Sequence, residues 1–359
     1  MDFPIFNSKE LSNGKVYNLN NPEDRQEYFH VKLGKKVDEV KEFLEKKPFV
    51  GYMLAKKMAG KGTYAKMFEE ILGPERFAHV SVGDVVRDVH EILIDTANPA
   101  KQKDLIKYLE KNYRGFLPID DALEALKNRS QGKISIPTEF ILVLLKREID
   151  NIGRKALFID GLPRNTDQIS YSLYFRNLIN FGDCPDFFVL IEIPLEMIEG
   201  RMKHRLVCPI CHTSRGLTYN PTKFVGYDNE TKGFYLICDN SNCNGYNKVR
   251  YVEKEGDSSG IGSIRERIDL DEKLMRVAVK LYGIPKVIIR NSVPAEIAHQ
   301  YLEDYEFQPA FSYSYENGEI EVSRKPWEFK DDNGVVSNTM LAATYVLNMF
   351  SQIHQILIG

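Results

Sequence analysis

Charge of one sign is what this sequence most plainly lacks. Lys and Arg number 48 against 51 Asp and Glu, so there is no concentrated positive potential of the kind that phosphate-backbone binding requires, and nucleic acid is not an expected partner. Long apolar runs are missing too. The most apolar stretch, DFFVLIEIP at 186–194, falls well short of the ~20 residues a membrane helix needs, so no membrane association is expected. The opening MDFPIFNSKE has no basic stretch leading into an apolar one, which gives no secretory signal and makes the cytoplasm the expected location. Internal repeats and low-complexity tracts are absent. Cysteine is scarce, at five residues, but four of them, Cys208, Cys211, Cys238 and Cys243, crowd into one short segment. In a chain without a leader such clustering favours a metal over disulfides. Cys184, outside the cluster, is expected to be a small buried side chain.

What is present is ordinary globular material, 43% apolar over 359 residues, sufficient for one large or two ordinary domains. Five short β-branched or aromatic runs recur: KPFVGYML, RFAHVSV, KALFIDG, DFFVLIEIP and PKVIIRN. Each precedes a helical pattern, and several are apolar at consecutive positions, as in strands covered on both faces. A parallel α/β sheet follows. Between the second and third runs lie helical stretches near KQKDLIKYLEKNY and DDALEALKNR. Between the fourth and fifth lies the cysteine segment. Both read as insertions projecting from the sheet. The first 46 residues show one clear helix, KKVDEVKEFLEK.

The first strand runs into AKKMAGKGT, with a helix pattern following. Gly60-Lys61-Gly62-Thr63 has the order of a phosphate-binding loop, in which backbone amides cradle phosphate, the lysine reaches the β- and γ-phosphates and a hydroxyl faces Mg²⁺. The bland alternative is a basic surface turn in which Lys56, Lys57 and Lys61 sit in water. Ala55 stands where the motif calls for glycine and Met58 where a small flexible residue is expected, so the cradle should differ in shape.

Further motifs stand at the later strand ends: SVGDVVRD after the second strand, FIDGLPRNTDQ after the third and GRMKHR after the fourth. Ser81 to Arg87 resembles the TGDxxR of adenylate kinases, Asp160 to Gln168 their DGxPRxxxQ, and Arg201 with Arg205 their RxxxR. With GKGT, these ordered motifs make the stretch from Phe49 to Ile297 resemble a nucleoside monophosphate kinase. Phosphoryl transfer is mainly positioning and charge neutralisation, which suits several arginines around two polyanions.

The resemblance implies a P-loop α/β fold with a five-stranded parallel sheet, an NMP-binding subdomain inserted at about 81–137 and a zinc-binding lid at about 206–264. The kinase domain would span 48–305, flanked by extensions at 1–47 and 306–359. It also implies site residues. Lys61, Arg87, Arg164, Arg205, Arg267 and Arg276 would be catalytic. Gly60, Lys61, Gly62, Thr63, Arg201 and Arg205 would meet ATP. Val82, Arg87, Gly161, Arg164 and Gln168 would meet the monophosphate, and Thr63 and Asp160 would hold Mg²⁺ through water. IRERIDLDEKLMR resembles RxDD followed by a helical arginine: Arg267 and Asp269 match, Leu270 replaces the second acid, Arg276 is offset, and Arg265 is a substitute.

Cys208-Pro-Ile-Cys211 lies just beyond Arg205, and two cysteines spaced this way can reach one tetrahedral ion. Cys238 and Cys243 have four intervening residues, which leaves His212 open as a replacement ligand and iron open beside zinc. The glycines of DSSGIGS, at 257–263, are a candidate hinge.

Beyond 306, FSYSYENGEIEVS reads as a hairpin turning at Asn317-Gly318. A last helix places Ala342, Val346, Met349, Phe350, Ile353 and Leu357 on one face and Asn348, Gln352 and Gln355 on the other, so it should lie on protein. It would cover the core, or serve self-association. ATP and a monophosphate are the expected partners. AMP is the first candidate acceptor through Gln168, although Val82 stands where a hydroxyl is common and Asn165 resembles UMP/CMP-type relatives. From another class comes a catalytically weak nucleotide-binding regulator of the same fold.

Overall fold

The computed structural model describes residues 3–128, 136–254 and 260–359. The chain begins with two helices where the apolar pattern predicts one, α1 (Pro22–Leu33) and α2 (Lys35–Lys46). The Asn21 side chain accepts the Glu23 and Asp24 amides and Pro22 occupies the first turn, a sound start signal. The periodicity misses α1 because its inward face mixes Tyr28, Phe29 and Leu33 with Arg25 and Lys32.

The core follows with β1 (Val50–Ala55), α3 (Lys61–Leu72) and β2 (Phe77–Ser81). Four helices then precede the third strand: α4 (Val82–Ile94), α5 (Pro99–Asn112), α6 (Ile119–Lys127) and α7 (Thr138–Ile152). The two expected helical stretches are α5 and α6, and 129–135 of the proposed insertion lie outside the described residues. Next come β3 (Ala156–Asp160), α8 (Gln168–Leu178), β4 (Asp186–Glu192) and α9 (Leu195–Lys203). The cysteine segment folds as short strands, β5 (Leu206–Val207), β6 (Ser214–Arg215), β7 (Phe224–Asp228), β8 (Gly233–Ile237) and β9 (Val252–Glu253). Of the glycine-rich stretch, 257–259 lie outside the described residues, and Gly260–Ile264 form a 3-10 turn. The chain returns through α10 (Arg265–Lys280), β10 (Lys286–Arg290), β11 (Val293–Pro294) and α11 (Ala295–Tyr301). It finishes with β12 (Pro309–Glu316), β13 (Glu319–Pro326), β14 (Glu328–Lys330), β15 (Val336–Asn338) and α12 (Ala342–Ile358).

The five expected strands form one parallel sheet of order β10-β4-β1-β3-β2, a P-loop kinase type of fold. Every β1 residue is buried, and its side chains alternate between two cores: Met53 and Ala55 enter one, Tyr52 and Leu54 the other. The register sets Met53 and Ser81 beside Asp160, and Ala55 beside Ile191. All the motif-bearing strand ends therefore meet along one edge of the sheet.

Both terminal segments pack into the first of these cores, which contains Tyr28 and Phe29 from one end and Trp327, Val346 and Phe350 from the other. The hairpin turns at Asn317 (φ 54) and Gly318 (φ 89) and lies against the lid. The Phe311 amide donates to the Thr218 carbonyl at 2.7 Å, the Tyr313 hydroxyl donates to the Leu217 carbonyl at 2.9 Å, and Tyr315 stacks on Tyr227 with ring centroids 4.0 Å apart. The polar face expected on α12 does not look outward as a whole. Asn348 is buried, and Gln352 accepts from the Ile288 amide and donates to its carbonyl, both at 2.8 Å. The side chain thereby pairs the free edge of the sheet as another strand's peptide would. Among the described residues no helix is long and apolar enough to cross a membrane.

Candidate functional site

The loop between β1 and α3 wraps the N-terminus of α3. Gly60 has φ 99, in the left-handed region, which glycine enters without a Cβ penalty. Met58 has φ 70 and pays for that conformation with roughly 1–2 kcal/mol. The Lys61 ammonium folds back to the Ala55 carbonyl at 3.3 Å and lies 3.6 Å from the Asp160 carboxylate. Thr63 is exposed on the first turn of α3.

Lys56 does not sit in water as a basic surface turn would place it. It is buried, donates to the Ile193 carbonyl at 3.1 Å and pairs with Asp332 at 3.0 Å. Asp332 also accepts the Leu195 amide at 2.8 Å, tying the phosphate loop to the start of α9. Glu192 stands in this cluster, and burial pushes its carboxyl up to about 7 against the pull of Lys56, with Asp332 raising it further.

On the other side of the strand ends, Gly161 has φ 89, in the left-handed region, and lies close beside Val82, where a Cβ on it would come 3.1 Å from that of Val82. Arg164 crosses this turn. Burial, then the neighbouring Arg267 guanidinium, lower its pKa, and Arg267 donates to the Arg164 carbonyl at 3.4 Å. Two guanidiniums held together in a partly desolvated place form a site suited to a polyanion. Asp271, one helical turn past Arg267, pairs with it at 2.7 Å; burial raises the Asp271 pKa, opposed by Arg267, Lys61 and the Lys57 amide.

Across the phosphate loop, Arg201 donates to the Met58 carbonyl at 2.8 Å and Arg205 reaches the Met58 sulfur at 3.2 Å. A cleft of about 710 Å³ opens here, running past Gly60, Thr63, Arg201 and Arg205. Pockets for small ligands commonly fall in this size range.

The structure thus brings Gly60, Gly62, Lys61, Thr63, Asp160, Arg164, Arg201, Arg205 and Arg267 to the loop and its neighbouring strand ends. Val82 is buried under Gly161. Arg87 is half-exposed and pairs with Asp84 at 2.8 Å. Gln168 uses both ends of its amide internally, on the Arg164 amide at 2.7 Å and the Thr138 hydroxyl at 2.8 Å, while the Asn165 side chain accepts the Gln168 amide at 3.0 Å. Arg276 is not brought in: it is exposed and pairs with Glu272. Arg265 pairs with Asp269 at 3.2 Å. Sequence reasoning missed Asp271 and the Lys56–Asp332 pair. The four-residue spacing of Arg267 and Asp271 on a helix is a usable signal for the first; the second spans 276 positions and leaves none.

The four lid cysteines converge, with all ligand atoms within 4.8 Å of one another. Cys208 and Cys243 sulfurs are 4.0 Å apart, and those of Cys211 and Cys238 3.8 Å. A tetrahedral ion with metal–sulfur bonds of about 2.3 Å sets its thiolates roughly 3.8 Å apart, so this set fits a zinc-type centre. Among the described residues His212 is not part of the cluster.

No protein-family model matches this sequence. Among curated proteins the chain is similar to the adenylate kinase of Thermotoga petrophila, 27% identical over 215 residues, which are 60% of this chain and 77% of that protein. It is 25% identical to the adenylate kinase of Clostridium kluyveri over 232 residues, 64% of this chain and 84% of the relative. The adenylate kinase of Thermotoga maritima gives 26% over 215 residues, 60% and 77% of the two chains.

Proposed function

We propose that this chain, which has a P-loop kinase fold and resembles the adenylate kinases, is a nucleoside monophosphate kinase that moves the γ-phosphoryl group of ATP onto AMP. Several curated relatives support the kinase classification. The observation that carries the reading is the gathering of Lys61, Arg164 and Arg267 at one edge of the sheet, with Arg201 and Arg205 across the phosphate loop. Such a ring of cations is what an in-line transfer between two phosphates requires. The bond from the γ-phosphorus to its bridging oxygen breaks while one forms to an oxygen of the acceptor phosphate, and two ADP molecules result.

In this reading Lys61 neutralises charge on the group in flight. Arg87 and Arg164 hold the acceptor phosphate, with Val82, Gly161 and Gln168 towards its base, while Arg201 and Arg205 serve ATP and Arg267 faces both. The exposed Thr63 hydroxyl and the Asp160 carboxylate are hard oxygen donors that suit Mg²⁺ through its water shell. That ion, when bound with ATP, neutralises the β- and γ-phosphates. Zinc in the four-thiolate lid is structural.

A second reading, a nucleotide-binding regulator with weak turnover, draws on the strained Met58, whose carbonyl and sulfur engage Arg201 and Arg205. Turnover with ATP and a panel of AMP, UMP and CMP, followed by coupled ADP detection, separates the two. AMP turnover supports the first reading, UMP or CMP preference changes the acceptor, and ATP binding without turnover establishes the second.

A further inference from the structure

The cleft beside the phosphate loop is not closed by the α/β core. Gly60, Thr63, Arg201 and Arg205 make one side, but Phe311, Trp327, Leu341 and Ala342, all from beyond residue 306, make another. This second wall is fixed in place. Trp327 is buried and stacks on Tyr219 of the lid with ring centroids 3.7 Å apart. The Leu341 amide donates to the Glu306 carbonyl at 2.8 Å, and the Tyr345 hydroxyl accepts the Met340 amide at 3.0 Å. Leu341 and Ala342 are only partly buried, and the small Ala342 side chain leaves the space before it open.

A nucleoside triphosphate is anionic at one end and a flat, largely apolar ring at the other. Backbone amides, Lys61 and the α3 N-terminus draw the anionic end to Gly60–Thr63, which leaves the ring the rest of the cleft, bounded by the tail together with lid residues such as Tyr219 and Thr222. We propose that the C-terminal extension is a working part of the donor site, supplying the wall of Phe311, Leu341 and Ala342 against which the base of ATP rests. This rests on the kinase reading for the identity of the donor. It adds that the core lacks a complete donor pocket without residues 308–345.

The test uses full-length protein carrying Ala342→Phe, which fills the space, and Phe311→Ala, which removes part of the wall. Calorimetric titration is run with ATP and with inorganic tripolyphosphate, which has the phosphates and no base, beside steady-state turnover with ATP and AMP varied in turn. Ala342→Phe is expected to weaken ATP binding about tenfold or more, because an added ring overpacks a formed pocket. Tripolyphosphate affinity and the AMP KM should stay within about twofold, the ratio that distinguishes a local loss from a general one. Phe311→Ala should weaken ATP about threefold, again without affecting tripolyphosphate. Unchanged ATP affinity in both variants overturns the proposal, as does an equal loss for ATP and tripolyphosphate. If ATP binding responds as expected but no monophosphate is phosphorylated by the unaltered protein, the proposal stands and the kinase reading falls. No ATP binding by the unaltered protein overturns both.

Discussion

Lys61 lies between the Ala55 carbonyl and the Asp160 carboxylate, at 3.3 and 3.6 Å, long contacts whose loss would not unravel the fold. Lys61→Met is therefore expected to keep the fold while kcat falls at least ~10³-fold, the scale of removing a key transition-state donor. Circular dichroism beside steady-state kinetics checks this, and a folded variant with near-normal turnover would sink the assignment. Glu192 makes a different prediction. Its folded pKa is raised to about 7 from 4.5, so the folded state holds the proton more tightly than the unfolded chain does. Its stabilising contribution is complete below about pH 4.5 and is lost as pH rises through 7. Relative to Glu192→Gln, the unaltered protein should lose on the order of 1–3 kcal/mol between pH 5 and 8 in urea unfolding; a constant difference across that range would remove Glu192 as the titrating group. Lys61, Arg164 and Arg267 were legible in the sequence because each sits in a short motif after a strand or at a helix start. Asp271 was obscured because the RxDD pattern takes Asp269 as its first acid and Leu270 at its second, whereas Arg267, in the first turn of α10, takes its partner one turn later.

At the scale of elements, the strands of the sheet could be read from runs of consecutive apolar residues, and the β12–β13 hairpin from Asn317-Gly318 between alternating positions. The lid strands could not, since β5, β6 and β9 are two residues each and take their order from what surrounds them. Two features of the structure are placed to supply that order. One is the four-cysteine centre. A thiolate-bound zinc supplies ~10 to 16 kcal/mol of apparent folding free energy in small domains, well above what the lid's small satellite core around Leu236 and Tyr251 can contribute. Cys238→Ser should lower bound metal, measured by elemental analysis, and open the lid to protease while the core keeps its unfolding transition. Fully protected, active protein without metal would eliminate the idea. The other device is the tail hairpin, with Tyr315 stacked on Tyr227 and Trp327 on Tyr219. Tyr315→Ala is exposed enough to spare the core and should raise proteolysis of 224–237 several-fold with metal still bound, since one aromatic contact is worth ~1 kcal/mol; unchanged cleavage would show that the metal alone orders the hairpin β7–β8.

For the whole molecule, the packing of the two terminal segments against each other could not be read from the sequence, because it joins residues hundreds of positions apart. Lys32 of α1 and Glu306 form a fully buried pair at 2.8 Å, with the Tyr28 hydroxyl donating to the same carboxylate at 2.6 Å. Lys32→Met leaves that carboxylate without its countercharge and should destabilise by about 3–5 kcal/mol, read from denaturant unfolding. A loss within a few tenths of a kcal/mol would mean that the termini do not brace each other. The same architecture governs how the protein is made. The apolar side of α3 and the free edge of β10 are covered by α12, whose Phe350 packs on Phe68 and whose Gln352 occupies Ile288. Some 280 residues of chain separate the start of α3 from α12. At typical translation speeds of about 5–20 residues per second, the apolar side of α3 waits tens of seconds for that cover, long enough for a holding chaperone to be its first partner.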